Sequence, residues 1–167
     1  RGLVGSEMCI RDSYISPIGS DETGNFYLKA KIRESAHGFI DYRKVDNNYW
    51  RFGLNYQGSY NYRGLNLFKI INNSDPRFHY PMLYYKQKYE DRWDIYEIWT
   101  FNNKHKLKFS DGENNELVNW IFESSDNKTG DIYLAGGPEV SVEVPVQVDY
   151  IFVSPYKEPG VEVSIQD

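Results

Sequence analysis

Two carboxylates stand close together in the middle of the chain. Asp94 and Glu97 belong to the string RWDIYE at positions 92–97. Two carboxyl groups about 5–5.5 Å apart can act as the nucleophile and the acid/base of a glycoside hydrolase. Residues three apart in a regular strand point to opposite faces, however. We therefore interpret the pair as structural, a solvated Asp and an edge or paired Glu, and keep catalysis by Asp94 and Glu97 as an alternative.

Aromatic residues interleaved with amide and basic groups favour contacts with sugars, which present apolar C–H faces and polar rims. One such group is a predicted loop with Tyr56, Gln57, Tyr60, Asn61, Tyr62 and Arg63. Another consists of Tyr42, Arg43, Asn48 and Trp50. The alternative for each residue is packing in or beside the domain core. Packing is the favoured interpretation for any single residue, whereas for the loop as a whole packing and ligand binding both stay open, because loops on rigid scaffolds often carry function.

No histidine has a Ser or Cys partner at a recognisable catalytic spacing. The three histidines are His37, His79 and His105. His105 lies on an apolar stripe with Leu107 and Phe109, which predicts a core or boundary histidine with its polar atoms satisfied.

Many short strands must position these residues. In Phe26–Arg33 the apolar residues alternate with basic ones, which is the pattern of a half-buried strand. Trp93, Ile95, Trp99 and Phe101 form another apolar stripe, interrupted by Glu97. Similar alternation recurs at 50–56, 105–109, 140–152 and 161–165, with turns rich in Asn, Asp and Gly between the runs. The best helix window, 113–122, fits a turn followed by a strand as well. Strands without crossover helices predict an all-β antiparallel sandwich or barrel.

Composition limits the classes of partner that the chain is expected to bind. The chain has 167 residues, which fits a single domain, and a net charge of −5, which argues against nucleic acid or anionic lipid as the main partner. No apolar run approaches the roughly 20 residues that span a membrane. Aromatic residues make up 17% of the chain and 15 of them are tyrosines, a composition that suits pleated sheets and sugar or protein contacts.

The first residues are predicted to be foreign to the domain. Residues 3–13 read LVGSEMCIRDS, which resembles one translated reading frame of a transposase sequencing adapter. We therefore expect 1–13 to be adapter-derived and 14–167 to be a single β-sandwich domain, cut from a longer protein. The alternative is an irregular N-terminal strand. Without 1–13 the domain loses Cys9, the only cysteine, and keeps the charge of −5, since two charges of each sign are removed.

Three segments together indicate a family. The first segment, residues 38–71, begins GFIDYRKVDNNYWRF and continues to the strand motif LFK. The second, residues 93–109, contains WDIYEI followed by NKHKL. The third, residues 148–165, reads VDYIFVSPYKEPGVEVSI. In this order they resemble the concanavalin A-like lectin/glucanase domains, especially laminin-G-like modules. The last segment is also similar to the end of domains found in prokaryotic surface proteins. The resemblance implies a jelly-roll sandwich from a prokaryotic or viral surface or secreted protein.

The resemblance also bears on the candidate sites. Glucanases of this family carry Glu-x-Asp-x-Glu, or a form with one more spacer residue, on a concave strand, and Arg92 stands here where the nucleophile is expected. The family often holds one structural Ca²⁺ on hard oxygen ligands. Asp149 matches the Asp of the closing strand that contributes to that site in some glucanases, and Asp21 and Gly24 lie in a loop that could supply partner oxygens. The alternative is that Asp149 hydrogen-bonds a neighbouring loop.

These observations predict a non-catalytic carbohydrate-binding or adhesion module of an extracellular or cell-surface protein. Its expected partners are a carbohydrate or glycoprotein surface and other domains of the same chain, with no nucleic acid and no membrane span. The alternatives are a divergent glycoside hydrolase of the β-glucanase type and a purely structural spacer of a surface or viral fibre protein.

Overall fold

The computed structural model describes residues 8–10, 24–33, 37–56, 62–72, 78–87, 92–126, 128–137 and 146–156. All regular secondary structure in these ranges consists of β-strands. The strands are β1 Met8–Ile10, β2 Phe26–Arg33, β3 His37–Val45, β4 Asn48–Tyr56, β5 Tyr62–Ile70, β6 Phe78–Gln87, β7 Asp94–Phe101, β8 Lys104–Asp111, β9 Glu116–Glu123, β10 Asp131–Gly137 and β11 Val146–Pro155. Within the described ranges there is no helix of the length and hydrophobicity needed to span a membrane.

The strands form two antiparallel sheets that pack face to face. The six-stranded sheet has the order β1-β11-β2-β7-β8-β9, and the five-stranded sheet has the order β10-β3-β4-β5-β6. The predicted all-β antiparallel sandwich is confirmed. The segment 113–122 is a turn followed by β9, so the strand alternative for that window is the correct one. Met8–Ile10 pairs with β11 as a short edge strand.

The core lies between the sheets and follows the period-two alternation. On β2 the side chains of Phe26, Leu28, Ala30 and Ile32 are buried, and the residues between them are half-buried. They pack in one cluster with inward residues of the opposite sheet, among them Phe52, Leu54, Leu65 and Leu67. Burying a side chain of this size stabilises the fold by about 1.5–3 kcal/mol. The outward positions of the same strands are therefore free to carry other chemistry.

Register decides which face each residue of β7 occupies. Ala30 and Leu28 of β2 lie opposite Tyr96 and Ile98, so these two residues of β7 point into the core. The predicted apolar stripe at 93–101 is consequently on the other side of the strand. It lies on the solvent-facing side of the six-stranded sheet, which we call the outer face.

Candidate functional site

The two carboxylates of the string 92–97 are separated by the sheet. The side chain of Asp94 is fully buried on the core side and accepts a hydrogen bond from Arg92 Nε at 2.8 Å. Glu97 is on the outer face, where it accepts a hydrogen bond from the Tyr27 hydroxyl at 2.5 Å and lies 3.9 Å from Lys108 Nζ. The prediction of a solvated Asp94 is wrong, and the prediction of a paired Glu97 is confirmed. Carboxylates on opposite faces of a sheet cannot flank one glycosidic bond.

The group of Tyr42, Arg43, Asn48 and Trp50 is mostly internal. Tyr42 and Arg43 are fully buried and Trp50 is 3% exposed, so these three side chains do not form a surface for a ligand. Asn48 is half-buried, and its Oδ1 accepts a hydrogen bond from the backbone N–H of Asn72 at 3.1 Å. The geometry favours the packing alternative for this group.

Arg43 is buried. Among the described residues, no carboxylate forms an ion pair with its guanidinium. Its backbone has φ of 50°, in the left-handed region, at a register shift in the pairing of β3 with β4. The guanidinium donates to the carbonyl oxygen of Gly24 at 3.1 and 3.2 Å and to that of Asn102 at 2.8 Å. Burial lowers the pKa of Arg43 to about 10, which leaves it charged at neutral pH. The side chain thus ties β3 to two connections of the opposite sheet.

His105 completes this internal cluster. Its Nε2 lies 3.1 Å from Nη1 of Arg43, and its Nδ1 lies 3.2 Å from the Tyr42 hydroxyl. Because an arginine can only donate, Nε2 is the acceptor and Nδ1 carries the proton. Burial, followed by the charge of Arg43, lowers the pKa of His105 to about 3. The prediction of a satisfied core histidine is confirmed.

The predicted binding loop connects β4 to β5. Tyr56 is the last residue of β4, and Tyr62 and Arg63 are the first two of β5. Their side chains, and the residues Gln57, Tyr60 and Asn61, lie outside the described part of the structure. Ligand binding by this loop stays a prediction.

The residues predicted to bind calcium are not brought together where the structure describes them. Asp149 lies on the outer face, where it pairs with Lys31 at 2.9 Å. Gly24 precedes β2 by two residues, so the two positions are about 20 Å apart along that strand. The Gly24 carbonyl already accepts hydrogen bonds from Arg43 and from the Thr100 hydroxyl at 2.7 Å. Asp21 is outside the described ranges, within which no group of three or more His, Cys, Asp or Glu side chains could hold a metal.

A row of aromatic side chains crosses the outer face, and the sequence alone does not bring its members together. The outer aromatic row consists of Phe152 on β11, Tyr27 on β2 and Trp99 on β7. The rings of Tyr27 and Trp99 stack with centroids 4.9 Å apart, and Phe152 is tilted beside Tyr27 at 6.1 Å. Phe152 is 42% exposed. The row therefore presents apolar surface to solvent between polar groups.

Polar and charged residues surround the row. Lys106 lies beyond Trp99, with Nζ 5.0 Å from the indole centroid, so Trp99 is held between a ring and an ammonium group. Lys29 is opposite Phe152 on one side and Glu97 on the other. Burial first, and then the hydrogen bond and the charge of Glu97, raise the pKa of Tyr27 well above its ordinary value. The Tyr27 hydroxyl is therefore a fixed, neutral donor to Glu97.

Comparisons with known proteins support the architecture. No family model matches the chain, and no curated protein matches it. Among solved structures, a legume lectin-like domain from Entamoeba histolytica superposes with a TM-score of 0.61 at 11% identity, over 94% of this chain and 82% of that one. Bacteroides ovatus xyloglucan PUL GH43B gives a TM-score of 0.57 at 11% identity, over 80% of this chain and 28% of that one.

A third solved structure comes from a bacteriophage. The CBM2 module of the evolved Dit of Lactobacillus casei BL23 phage J-1 gives a TM-score of 0.55 at 10% identity, over 80% of this chain and 62% of that one. The fold is a lectin-like jelly roll. The predicted jelly-roll architecture is thus confirmed, while identities this low show the fold alone. The chain spans less than a third of the GH43B chain and less than two thirds of the Dit chain.

The sequence contains part of the information needed to predict the outer aromatic row of this jelly roll. Tyr27 shares the polar side of β2 with Lys29 and Lys31, where a large ring is out of place in a purely solvating face. Trp99 belongs to the apolar stripe at 93–101, and the sequence alone does not show which face of the sheet this stripe occupies. The missing information is the register between β2 and β7, which are about 70 residues apart in the chain and meet only in the folded sheet.

Proposed function

We propose that this domain is a non-catalytic carbohydrate-binding module and that it binds through the outer face of the six-stranded sheet. The observation that supports this most directly is the exposed Phe152 ring beside Tyr27 and Trp99. A sugar ring can stack its C–H face on such a surface while nearby charged and hydroxyl groups bond its rim.

The members of the outer aromatic row have different parts in this proposal. Tyr27 covers one face of the Trp99 ring and Lys106 lies over the ring as well, so Trp99 acts chiefly as a support. Phe152 stands at 60° to Tyr27 and at the exposed end of the row. Phe152 is therefore the ring on which a sugar would stack. Lys29 lies next to it in register and supplies a donor for a hydroxyl group.

The placement of the carboxylates supports binding rather than hydrolysis. Asp94 and Glu97 point to opposite sides of β7, and each already has a partner: Arg92 for Asp94 and Tyr27 for Glu97. Hydrolysis by two carboxylates requires both on the same side of the substrate. The divergent-hydrolase alternative would need carboxylates other than this pair.

The structural neighbours are consistent with this proposal. They include a lectin-like domain, a CBM2 module and a GH43 protein. The last two match this chain over only part of their own length, which supports the further proposal of a module joined to other domains. We extend the proposal to an extracellular or cell-surface setting with a carbohydrate or glycoprotein surface as partner.

A glycan array followed by calorimetric titration tests the proposal. Phe152→Ala should weaken binding of the best glycan about tenfold, because one stacking surface is lost. Val45→Ala is the control, since Val45 is 46% exposed but lies on β3, in the other sheet. It should leave affinity unchanged. Tyr60→Ala and Tyr62→Ala test the predicted loop in the same assay.

Each outcome has a clear meaning. Loss of affinity in Phe152→Ala alone supports binding at the outer face. Loss in the tyrosine variants with no effect of Phe152→Ala moves the site to the loop between β4 and β5. If the unsubstituted protein binds no glycan, carbohydrate binding is refuted, and the spacer alternative explains the aromatic row as cross-strand stabilisation of the sheet.

A further inference from the structure

The outer face is basic although the protein as a whole is acidic. The net charge of the chain is −5. The outward positions of β2 and β8 nevertheless carry two rows of basic side chains, Lys29, Lys31 and Arg33 on the first strand and Lys104, Lys106 and Lys108 on the second. Only β7 lies between these strands. The two rows are therefore about 10 Å apart, the width of two strand spacings.

Some of these charges are balanced within the face. Lys31 pairs with Asp149 at 2.9 Å, and Lys108 pairs with Glu116 at 3.3 Å. Glu97, which lies between the rows, accepts the Tyr27 hydroxyl and is 3.9 Å from Lys108. These carboxylates neutralise only part of the basic charge that surrounds them.

The ammonium groups nearest the aromatic row have no ion-pair partner among the described residues. The acidic residues near them include Glu123, opposite Lys104 in register, and Glu116, whose pKa is lowered first by a hydrogen bond from Asn119 and in part by the charge of Lys106. Across those residues, no carboxylate oxygen lies within ion-pair distance of Lys29, Lys104 or Lys106. Lys106 instead lies over the Trp99 ring, and Lys29 is beside Phe152 in register. Apolar rings and unbalanced cations therefore share one continuous surface. A neutral glycan could accept hydrogen bonds from these lysines but would leave their positive charges without a counter-charge.

We propose that the outer face binds a polysaccharide that contains uronic acids, with sugar rings on the aromatic row and sugar carboxylates on Lys29, Lys104 and Lys106. This inference rests on the proposed carbohydrate-binding function and specifies its ligand class. A chain running across the strands follows the direction of the aromatic row. It meets the two basic rows about 10 Å apart, a spacing comparable to the length of a disaccharide and therefore suited to one carboxylate per two sugars.

The charge pattern favours this ligand over nucleic acid. A nucleic acid carries one phosphate charge for about every 1.7 Å of duplex or 3.4 Å of strand, and proteins bind it with dense basic surfaces. Three unbalanced lysines on a chain of net charge −5 provide too little attraction for such a polyanion. A uronic-acid polysaccharide has fewer charges per length and adds apolar faces that stack on the aromatic row.

The test compares charged and neutralised forms of the same polymer. The full chain is titrated with polygalacturonate, alginate and hyaluronate, with fully methyl-esterified polygalacturonate and with single-stranded DNA. We expect binding of at least one polyuronate, at least tenfold weaker binding of the ester, and weakening of the polyuronate complex by added salt. Lys29→Gln/Lys106→Gln should weaken polyuronate binding about tenfold. Lys128→Gln is the control, because Lys128 is exposed in the connection between β9 and β10.

The outcomes separate this inference from the proposed function. Equal binding of polygalacturonate and its ester, or binding of neutral glycans only, overturns the inference and leaves carbohydrate binding intact. An equal loss in Lys128→Gln, or equally tight binding of DNA, shows unspecific attraction of polyanions and also overturns it. Binding of no glycan, charged or neutral, refutes the inference together with the proposed function.

Discussion

The buried His105 should make the stability of the fold dependent on pH between neutrality and pH 5. Its ring is 1% exposed, its Nε2 accepts a hydrogen bond from Arg43, and its Nδ1 donates to Tyr42. Protonating Nε2 would remove the acceptor and place a second positive charge next to the guanidinium. Burial and the charge of Arg43 therefore lower the pKa of His105 to about 3, from an unfolded value of 6.5.

The sign and the size of the effect follow from these two values. Between pH 6.5 and pH 3 the unfolded chain binds a proton at this histidine and the folded chain does not, so the free energy of unfolding falls as the pH falls. The contribution of His105 is fully present above pH 6.5 and disappears progressively toward pH 3. Each pH unit below the unfolded pKa of 6.5 lowers the free energy of unfolding by about 1.4 kcal/mol. Because pH 5 lies about 1.5 units below that pKa, the loss from pH 7 to pH 5 is about 2 kcal/mol.

Urea unfolding of the protein and of His105→Gln at several pH values measures this loss. Glutamine keeps an oxygen that can accept from Arg43, and it does not titrate. Other titrating groups, such as Asp41, whose pKa is raised by burial, are common to both proteins and cancel in the difference. We expect the unsubstituted protein to lose about 2 kcal/mol more than His105→Gln from pH 7 to pH 5. Parallel pH profiles would refute the buried neutral state of His105.

Three further predictions concern the fold. Arg43→Leu should lower the free energy of unfolding by about 3–5 kcal/mol in urea titrations, because the buried carbonyls of Gly24 and Asn102 lose a charged donor. A change under about 1 kcal/mol would show that these hydrogen bonds between the sheets do not stabilise the fold. Gly53→Ala should cost about 3 kcal/mol by the same measure, because a Cβ would lie 2.0 Å from the Gly38 carbonyl oxygen; an unchanged value contradicts that close approach. Deleting residues 1–13 should change the unfolding free energy by less than about 1 kcal/mol, and a larger loss would identify Met8–Ile10 as an integral strand.

Much of the fold could be predicted because the alternation of apolar and polar residues is a local property. The buried and half-buried positions of β2 follow the printed sequence residue by residue. The ambiguous window 113–122 became a strand because β9 places Val118, Trp120 and Phe122 against the core at a period of two. A helix would have spread these three residues around its surface, and its apolar side would not have matched a flat sheet.

The site could be predicted less well, because it depends on contacts between distant residues. The sequence shows that Arg43 is followed by turn-forming residues, but not that a left-handed backbone turns its side chain inward toward Gly24 and Asn102. A basic residue near aromatic residues therefore predicts a ligand contact, whereas Arg43 is an internal hydrogen-bond donor between the sheets. In the same way, Tyr27 and Trp99 are unremarkable separately and become a surface only when β2 pairs with β7.

The proposed binding at the outer face is also favoured on energetic grounds. Trp99 is held between Tyr27 and Lys106, and the Tyr27 hydroxyl is fixed by Glu97, so these side chains are ordered before any ligand arrives. Ordering a side chain on binding costs about 0.5–1.5 kcal/mol each, a cost that a surface loop must meet and a sheet face avoids. A flat, ordered face suits an extended polymer, which gains affinity from several weak contacts along its length. The polysaccharide titrations and the Phe152→Ala variant together test this preference for a long ligand.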